Sequence, residues 1–548
     1  MKEILFTVPP YIEYDAFVTP SFNNRTVEKK GGKFGSLVTD MPLGVLSLSA
    51  YVRQNSEYST KLVDFNIVLN KLEKFDYESF VEFFQDFLSS QELKDCKPEV
   101  VGISSLFTPS YRSMLEIAQC CRVLFPNALI VAGGGVPTNM YKEIFRESTS
   151  FDALCYGEGE KPLLELLQAK DKRRYLEESP SWITRRKTEK TQTLKHSFIV
   201  NLDEIPFYDY SILNPDNYAL SPTVNSYAHF DNKRVFHFTT SRGCPYHCTF
   251  CASHTVHGRK MRYHSVERVR HDLTRLRDQF GARMIGIQDD NFMTNKKRAL
   301  EIVNIIKELG MTVFFQSGLA LYALDQETLE TIKEAGVDHL VLPVESGSSR
   351  VLKEVMHKPL NLSIVKRVIK DCRELDIYTD VNVLIGLPGE TKKDIEDTRT
   401  FLKTLNANWF RIYIATPLVG SEMFEICAKK NYLSGSHIGS DFKKAVIETE
   451  DFTAEFIQEK IYSLNLELNF VGNSDLRLGN YQLALRGFEN TIKVKSDHAF
   501  AYYFSALCCK KLKQNEKYEN YRRRYEEIIK NSSFWQNYVE QFQLANIK

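Results

Sequence analysis

The stretch Ser241-Arg242-Gly243-Cys244-Pro245-Tyr246-His247-Cys248-Thr249-Phe250-Cys251 decides the reading of this 548-residue chain. It follows a candidate strand, Arg234 to Thr240, and spaces three cysteines as CxxxCxxC. Three thiolates on one short loop can wrap one face of a cubane, each ligating one iron. Such clusters are normally held by four thiolates, and no fourth cysteine is adjacent, so one iron would stay open to an external ligand. A zinc ion completed by His247 or a remote cysteine is the competing reading. Zinc sites usually show paired CxxC elements, and the strand context argues for the cluster.

Working outward, the other cysteines (96, 120, 121, 155, 372, 427, 508 and 509) are scattered or in plain pairs and read as buried structural thiols. An odd total of 11, with no export signal in MKEILFTVPPYIEYD, argues against a disulfide framework. No run approaches the ~20 apolar residues of a transmembrane span. We therefore expect a cytoplasmic protein. The chain is 43% apolar and 26% charged, which excludes coiled coils, collagens and mostly disordered chains. A net charge of +1 gives no global basic field for nucleic acid. The length predicts two or three domains.

Residues 1–195 alternate strand-like and helical patterns, with strands expected at Ile4–Val8, Thr60–Phe65, Val100–Ser104, Ala128–Ala132 and Ala153–Cys155. Helices are expected at Leu43–Arg53 and Tyr111–Leu124. The order fits a flavodoxin-like doubly wound α/β domain. The charged segment 170–196 reads as an exposed hairpin or linker, and 196–230 as a bridge to the next unit. From 231 to 450 a second β-α series has strand candidates at 283–287, 312–316, 339–344, 379–385 and 409–414. That order predicts parallel strands with helices outside. Residues 455–548 turn all-helical. Within them Gly479, Tyr481, Ala484, Phe488 and Ala501 fall near positions of a tetratricopeptide repeat, and a generic helical cap is the other reading.

The cysteine loop resembles the signature of the radical S-adenosyl-L-methionine (radical SAM) superfamily, which lies at the end of the first strand of a partial (β/α) barrel. The resemblance implies a 4Fe-4S cluster on Cys244, Cys248 and Cys251, with SAM on the open iron. Gln288-Asp289-Asp290-Asn291-Phe292 is similar to the segment that holds the SAM amino group, though the commoner Gly-Gly-Glu form is absent; Asp289 and Asp290 could equally cap a helix. Glu345-Ser346-Gly347-Ser348 resembles the segment near the SAM ribose and carboxylate. Gly386-Leu387-Pro388-Gly389-Glu390-Thr391 looks like the turn near adenine, or a plain strand-to-helix turn. Phe250 matches the position whose backbone meets adenine, and Thr416 to Ser421 the stretch closing the last strand. Each falls at a strand C-terminal end, where barrel active sites assemble.

Pro42-Leu43-Gly44, Val101-Gly102-Ile103-Ser104-Ser105, Ala132-Gly133-Gly134-Gly135 and Tyr156-Gly157-Glu158-Gly159-Glu160 resemble the cobalamin-binding domain placed ahead of many radical SAM domains. The resemblance implies corrin contacts from Ser104, Ser105, Thr108, Gly133, Gly134 and Gly135. The Asp-x-His-x-x-Gly loop that places histidine on cobalt elsewhere is absent, and no histidine precedes His196. Taken together, the resemblance implies a cobalamin-dependent enzyme that methylates an unactivated carbon of a small-molecule or peptide substrate through a 5′-deoxyadenosyl radical. Electrons would come from a donor protein such as flavodoxin or ferredoxin. A radical rearrangement, ring formation or oxidation without methyl transfer is one alternative. Another is a scaffold that binds a protein or peptide partner through the C-terminal helices.

Overall fold

The N-terminal half is organised by β1 (Glu3–Val8), whose apolar and β-branched residues are buried on both faces, as a central parallel strand requires. It pairs in parallel with β2 (Ser59–Asp64) on one side and β3 (Val100–Ser104) on the other. The sheet continues through β4 (Leu129–Gly133) and β5 (Ala153–Cys155). The order β2-β1-β3-β4-β5 is the flavodoxin-like one, with its switch point between β1 and β3. The structure, a computed structural model, describes residues 2–20, 26–37, 39–189, 193–218, 234–434 and 443–545. Part of the expected bridge, 219–230, lies outside these.

The charged segment 170–196 is not an exposed linker. It contributes a helix, Lys172–Glu178, and a sixth strand, β6 (Trp182–Ile183), antiparallel to β5. Trp182 is buried, and the buried Lys187 ammonium donates to the carbonyls of Leu176, Ser179 and Trp182 at 2.7, 2.6 and 2.8 Å. Three carbonyls replace the water that a lysine normally keeps, so charge here marks a tied-down turn. Likewise 202–213 is a strap: Leu202, Ile205, Tyr208 and Tyr210 are buried in the core of the next unit.

That unit has six parallel strands in two sheets. One is β7 (Val235–Phe238), β8 (Met284–Ile287) and β9 (Thr312–Phe315); the other is β10 (His339–Glu345), β11 (Tyr378–Ile385) and β12 (Trp409–Ile414). Leu319 N–H donating to Val341 O bridges them, giving a partial barrel. Most intervening helices start on side-chain caps such as Ser265, Asn295, Asp325 and Thr391, which fixes where each one leaves its strand. Phe236 packs outward on Phe280, whereas His237 shares the lumen face with Phe314.

The C-terminal helices begin at Ala454–Leu466 and cover the open edge of β12. Asn469 pairs with Phe410 as a strand would, donating to its carbonyl at 2.8 Å and accepting its N–H at 2.7 Å. The following helices, Tyr481–Val494, Ala499–Lys511, Asn515–Lys530 and Ser533–Gln541, bury their apolar residues against one another and against Trp409 and Phe470. Among the described residues, no helix is long and apolar enough to cross a membrane.

Candidate active site

The strand C-termini of the two sheets face each other. Asn139, after β4, donates to Thr255 beside the cysteine loop at 2.9 Å and lies against Gly420 after β12. Met41 N–H, just ahead of the helix Leu43–Asn55, donates to His237 Nδ1 at 2.9 Å.

Between these faces sits the cysteine loop. Cys244, Cys248 and Cys251 are partly exposed, whereas the other cysteines are buried. Burial pushes Cys248 up to about 11 and raises Cys244, so on their own these two are neutral thiols, and they would ligate as thiolates only with a cation to take the charge. Among the described residues, no three His, Cys, Asp or Glu side chains converge tightly enough for a single ion. Three partly exposed thiols on one loop suit a cluster with an open corner.

The loop is braced at its root. Asp289 accepts from Thr240 N–H at 2.6 Å, Thr240 Oγ1 at 2.6 Å and Ser241 Oγ at 2.5 Å. Asp290 accepts from Gly243 N–H at 2.9 Å. Gly243 has φ 93°, and a Cβ there would lie 2.6 Å from Lys260 O, so only glycine fits. Thr249 ties the far end, donating to Met356 O and Val355 O and accepting from Met423 N–H.

Around the thiols the structure brings together Asp290, whose charge acts on Cys244, with Glu345 and Lys358, whose charges act on Cys248. Glu345 has φ 68°, a strained value for a non-glycine, at a register shift in β10. Burial raises its carboxyl, partly offset by Lys358 at 3.7 Å. Asp289 and Ser346 are differently placed. The Asp289 oxygens are engaged by the loop root, and Ser346 meets Thr398 Oγ1 at 3.1 Å and accepts from Ser348 N–H. Phe250 packs on the barrel core. A Cβ on Gly386 would meet Ile457 of the first C-terminal helix at 3.0 Å, and Gly386 N–H donates to Glu390 at 2.7 Å.

On the opposite face, Ser104 ends β3. Ser105 is buried, its hydroxyl paired with Ser110 at 2.7 Å, and Thr108 opens a short buried turn. Between them Leu106 and Phe107 are 47% and 44% exposed, and Tyr11 packs edge-on against Phe107. Gly134, at φ 106°, would place a Cβ 2.5 Å from Ser105 O, and Gly135 one 2.6 Å from Leu106 O. The glycines let this loop lie on β4's end, while Gly133 has only Cys155 Cβ nearby, at 3.6 Å. An apolar shelf at the switch point suits a flat macrocycle.

The Gly157–Glu160 segment holds the two faces together. Glu158 accepts from Arg262 at 2.8 and 2.6 Å and lies 3.0 Å from His257 and 3.4 Å from Arg242. Glu160 accepts from Arg242 at 2.8 Å and Ser47 at 2.6 Å. Burial works to raise Glu158, but Arg242, Arg262 and His257 outweigh it and hold the carboxyl well below the usual carboxylate range. Sequence reasoning missed this clamp, along with Lys358, Asp40 and Gln316. In the sequence only the motif Gly157-Glu158-Gly159-Glu160 stands out, as part of a cofactor domain.

Residues 238–402 match the radical SAM superfamily, and residues 37–167 match the B12 binding domain. An uncharacterized methyltransferase, PH0819, of Pyrococcus horikoshii is 28% identical over 72% of this chain and 80% of its own length. A cytidylyl-2-hydroxyethylphosphonate methyltransferase of Streptomyces wedmorensis is 28% identical over 62% of this chain and 68% of its own. The cobalamin-dependent radical enzyme OxsB shares the fold, with TM-score 0.62 at 14% identity over 100% of this chain and 82% of its own. With the cysteine loop at the end of β7 and the doubly wound sheet ahead of it, the chain belongs to the radical SAM superfamily, in the branch that carries a B12 binding domain before the radical SAM domain.

Proposed function

We propose that this enzyme is a cobalamin-dependent radical SAM methyltransferase acting on an unactivated carbon of a small molecule. Residues 1–195 would hold cobalamin, 231–450 the cluster and SAM, and 455–548 would close the barrel edge. The observation that carries this is the apposition of three partly exposed thiols with the apolar Leu106–Phe107 shelf across one interdomain mouth. When bound, the cluster with SAM supplies a 5′-deoxyadenosyl radical and cobalamin supplies the methyl group.

The chain's own residues do the positioning. Cys244, Cys248 and Cys251 would ligate the cluster, and Asp290, Glu345 and Lys358 would meet the charged end of SAM. Asp289 and Thr249 hold the loop so that the thiols keep one geometry, and the clamp at Glu158 fixes how far the corrin shelf stands from it. Closing the mouth excludes water from a radical reaction. No histidine in residues 1–195 can reach cobalt. An external low-potential donor of the flavodoxin or ferredoxin type would reduce the cluster.

The test is anaerobic purification with hydroxocobalamin, followed by iron and cobalt counts and turnover with methyl-labelled SAM and reductant. We expect about four irons and one cobalt per chain, and S-adenosylhomocysteine formed together with 5′-deoxyadenosine. Replacing all three loop cysteines by alanine should remove the iron and both products. Iron without cobalt overturns the cobalamin role; deoxyadenosine without S-adenosylhomocysteine or methylated product overturns methyl transfer.

A further inference from the structure

At the mouth of the first half-barrel, a buried donor and a buried acceptor face one another without partners. His237, on β7, has a side chain only 1% exposed. Its Nδ1 accepts the Met41 N–H at 2.9 Å, so in the neutral ring the proton sits on Nε2. Burial lowers the His237 pKa, which keeps the ring neutral. Nε2 has no hydrogen-bond partner; the nearest carboxylate oxygen is Asp40 Oδ1, at 3.9 Å, which is itself buried and unpartnered. Neither group is free to swing away. Asp40 Oδ2 accepts from Gln316 Nε2 at 2.7 Å, and Gln316 Oε1 accepts from Gln288 Nε2 at 3.1 Å. Leaving a buried donor and acceptor unmade costs about 1–3 kcal/mol each, so a fixed unpaired couple marks a place built for a ligand.

The place is informative. Gln288 and Gln316 directly follow β8 and β9, so the couple lies at the C-terminal mouth of the barrel. Asp40 comes from the other domain, just ahead of the helix Leu43–Asn55, inside the stretch that matches the B12 binding domain. Its charge acts on Tyr11, the residue packed against Phe107 on the apolar shelf. The couple therefore borders the crevice assigned above to the corrin.

The chemistry selects the ligand class. A carboxylate or phosphate would oppose Asp40, and an ammonium would oppose the Nε2–H. A neutral group that accepts and donates is required. A carboxamide spreads acceptor and donor over two atoms, which suits a pair 3.9 Å apart better than a single oxygen does. The corrin periphery carries primary carboxamides. Building on the cobalamin reading above, we propose that Asp40 and His237 together seat one corrin carboxamide, its oxygen accepting from His237 Nε2–H and its N–H donating to Asp40 Oδ1. The fork thereby sets the rotation of the corrin over the barrel mouth.

The test is absorption titration of the anaerobically purified full chain with hydroxocobalamin, in the wild type and two variants. His237→Asn keeps an acceptor for Met41 and removes the Nε2–H. Asp40→Asn keeps an oxygen for Gln316 and turns an N–H towards the ligand's donor. Each should weaken cobalamin binding about tenfold, the loss of one hydrogen bond to a buried partner, with SAM affinity, iron content and thermal midpoint unchanged. If His237→Asn unfolds, Asp40→Asn, on a part-exposed loop, carries the test. The Asp40→Asn loss should recur with dicyanocobinamide and vanish with heptamethyl dicyanocobyrinate, which lacks every amide N–H; the His237→Asn loss should persist with both, because an ester carbonyl still accepts. Unchanged cobalamin affinity in the variants, or an equal Asp40→Asn loss with the ester, overturns the proposal; so does a loss of SAM affinity instead, which would assign the fork to the ribose. A wild type that binds no cobalamin sinks the cofactor reading itself, a separate outcome.

Discussion

The barrel is gripped on two flanks that use different chemistry. Towards the cysteine loop, the grip is ionic and buried: Glu158 and Glu160 against Arg242 and Arg262, with all four side chains nearly sealed from solvent. Towards β12, the grip is mostly amides and apolar surface, with carboxylate–arginine pairs whose arginines are partly exposed: Asn469 is paired to Phe410, and Asp475 holds Asn408 at 3.0 Å and Arg373 at 2.9 Å, beside Trp409 and Phe470. An apolar face tolerates small slides, whereas bidentate arginine-carboxylate pairs fix angle and distance together. The flank that must hold two cofactor sites in register is the one built from directional charge. The flank that only seals a sheet edge is built mostly from packing.

The contrast breaks most sharply at Glu158. Glu158→Ala leaves Arg262 buried without its carboxylate and takes from Arg242 one of its two, a cost of about 3–5 kcal/mol. Urea unfolding should show this, with cobalamin affinity falling alongside. Replacing Glu158 and Arg262 together by apolar residues should recover most of the stability but not the cobalamin affinity, because the packing returns and the orientation does not. Full recovery of both would reduce the clamp to packing.

How much of this was legible follows from where the information lies. The cysteine loop was readable because its spacing is its chemistry. All six barrel strands were placed to within about two residues, because buried parallel strands are nearly continuous apolar runs. The segment 170–196 was misread because a composition of Lys, Arg and Glu looks the same whether solvated or tied to carbonyls as Lys187 is. The clamp and the fork were illegible for another reason. Arg262 lies 104 residues from Glu158, and His237 lies 196 from Met41; no local pattern records which distant charges will meet. Gly386 shows a third case: its motif was seen, but what fills its open side is Ile457, from a helix outside the motif.

The flanks should also differ in pH response. Glu158 is depressed, so its stabilisation is present at neutral pH and fades only as pH falls below the ordinary carboxylate range. Glu390, under the helical flank, is pushed by burial from 4.5 up to about 8. Its folded state therefore holds a proton that the unfolded chain releases, and this contribution is lost as pH rises from about 4.5 through about 8. Glu390→Gln should remove that loss, raising stability at pH 8 relative to pH 5 by on the order of 3 kcal/mol. Unfolding midpoints across that range decide it; an unchanged slope would mean Glu390 is ionised in the fold. On the same flank, Asn469→Ala should cost about 1–3 kcal/mol by leaving Phe410's N–H and carbonyl unpaired, with cobalamin affinity intact.

The smallest effect isolates burial from charge. Glu467, on the helical flank, is also paired to arginine, accepting from Arg399 Nε and Nη2 at 2.5 Å each and from Lys403 at 3.1 Å. Its geometry rivals that of Glu158, but its side chain is 15% exposed and its partners are 29% and 50% exposed, against 3–6% for Glu158 and its two arginines. Glu467→Gln should therefore cost under about 1 kcal/mol, and most of that should vanish in 1 M salt. The Glu158→Ala loss should persist at that salt, because ions do not reach a sealed pair. If the two variants cost the same, or respond to salt alike, burial is not what separates the flanks, and the assignment of orientation to one and sealing to the other fails with it.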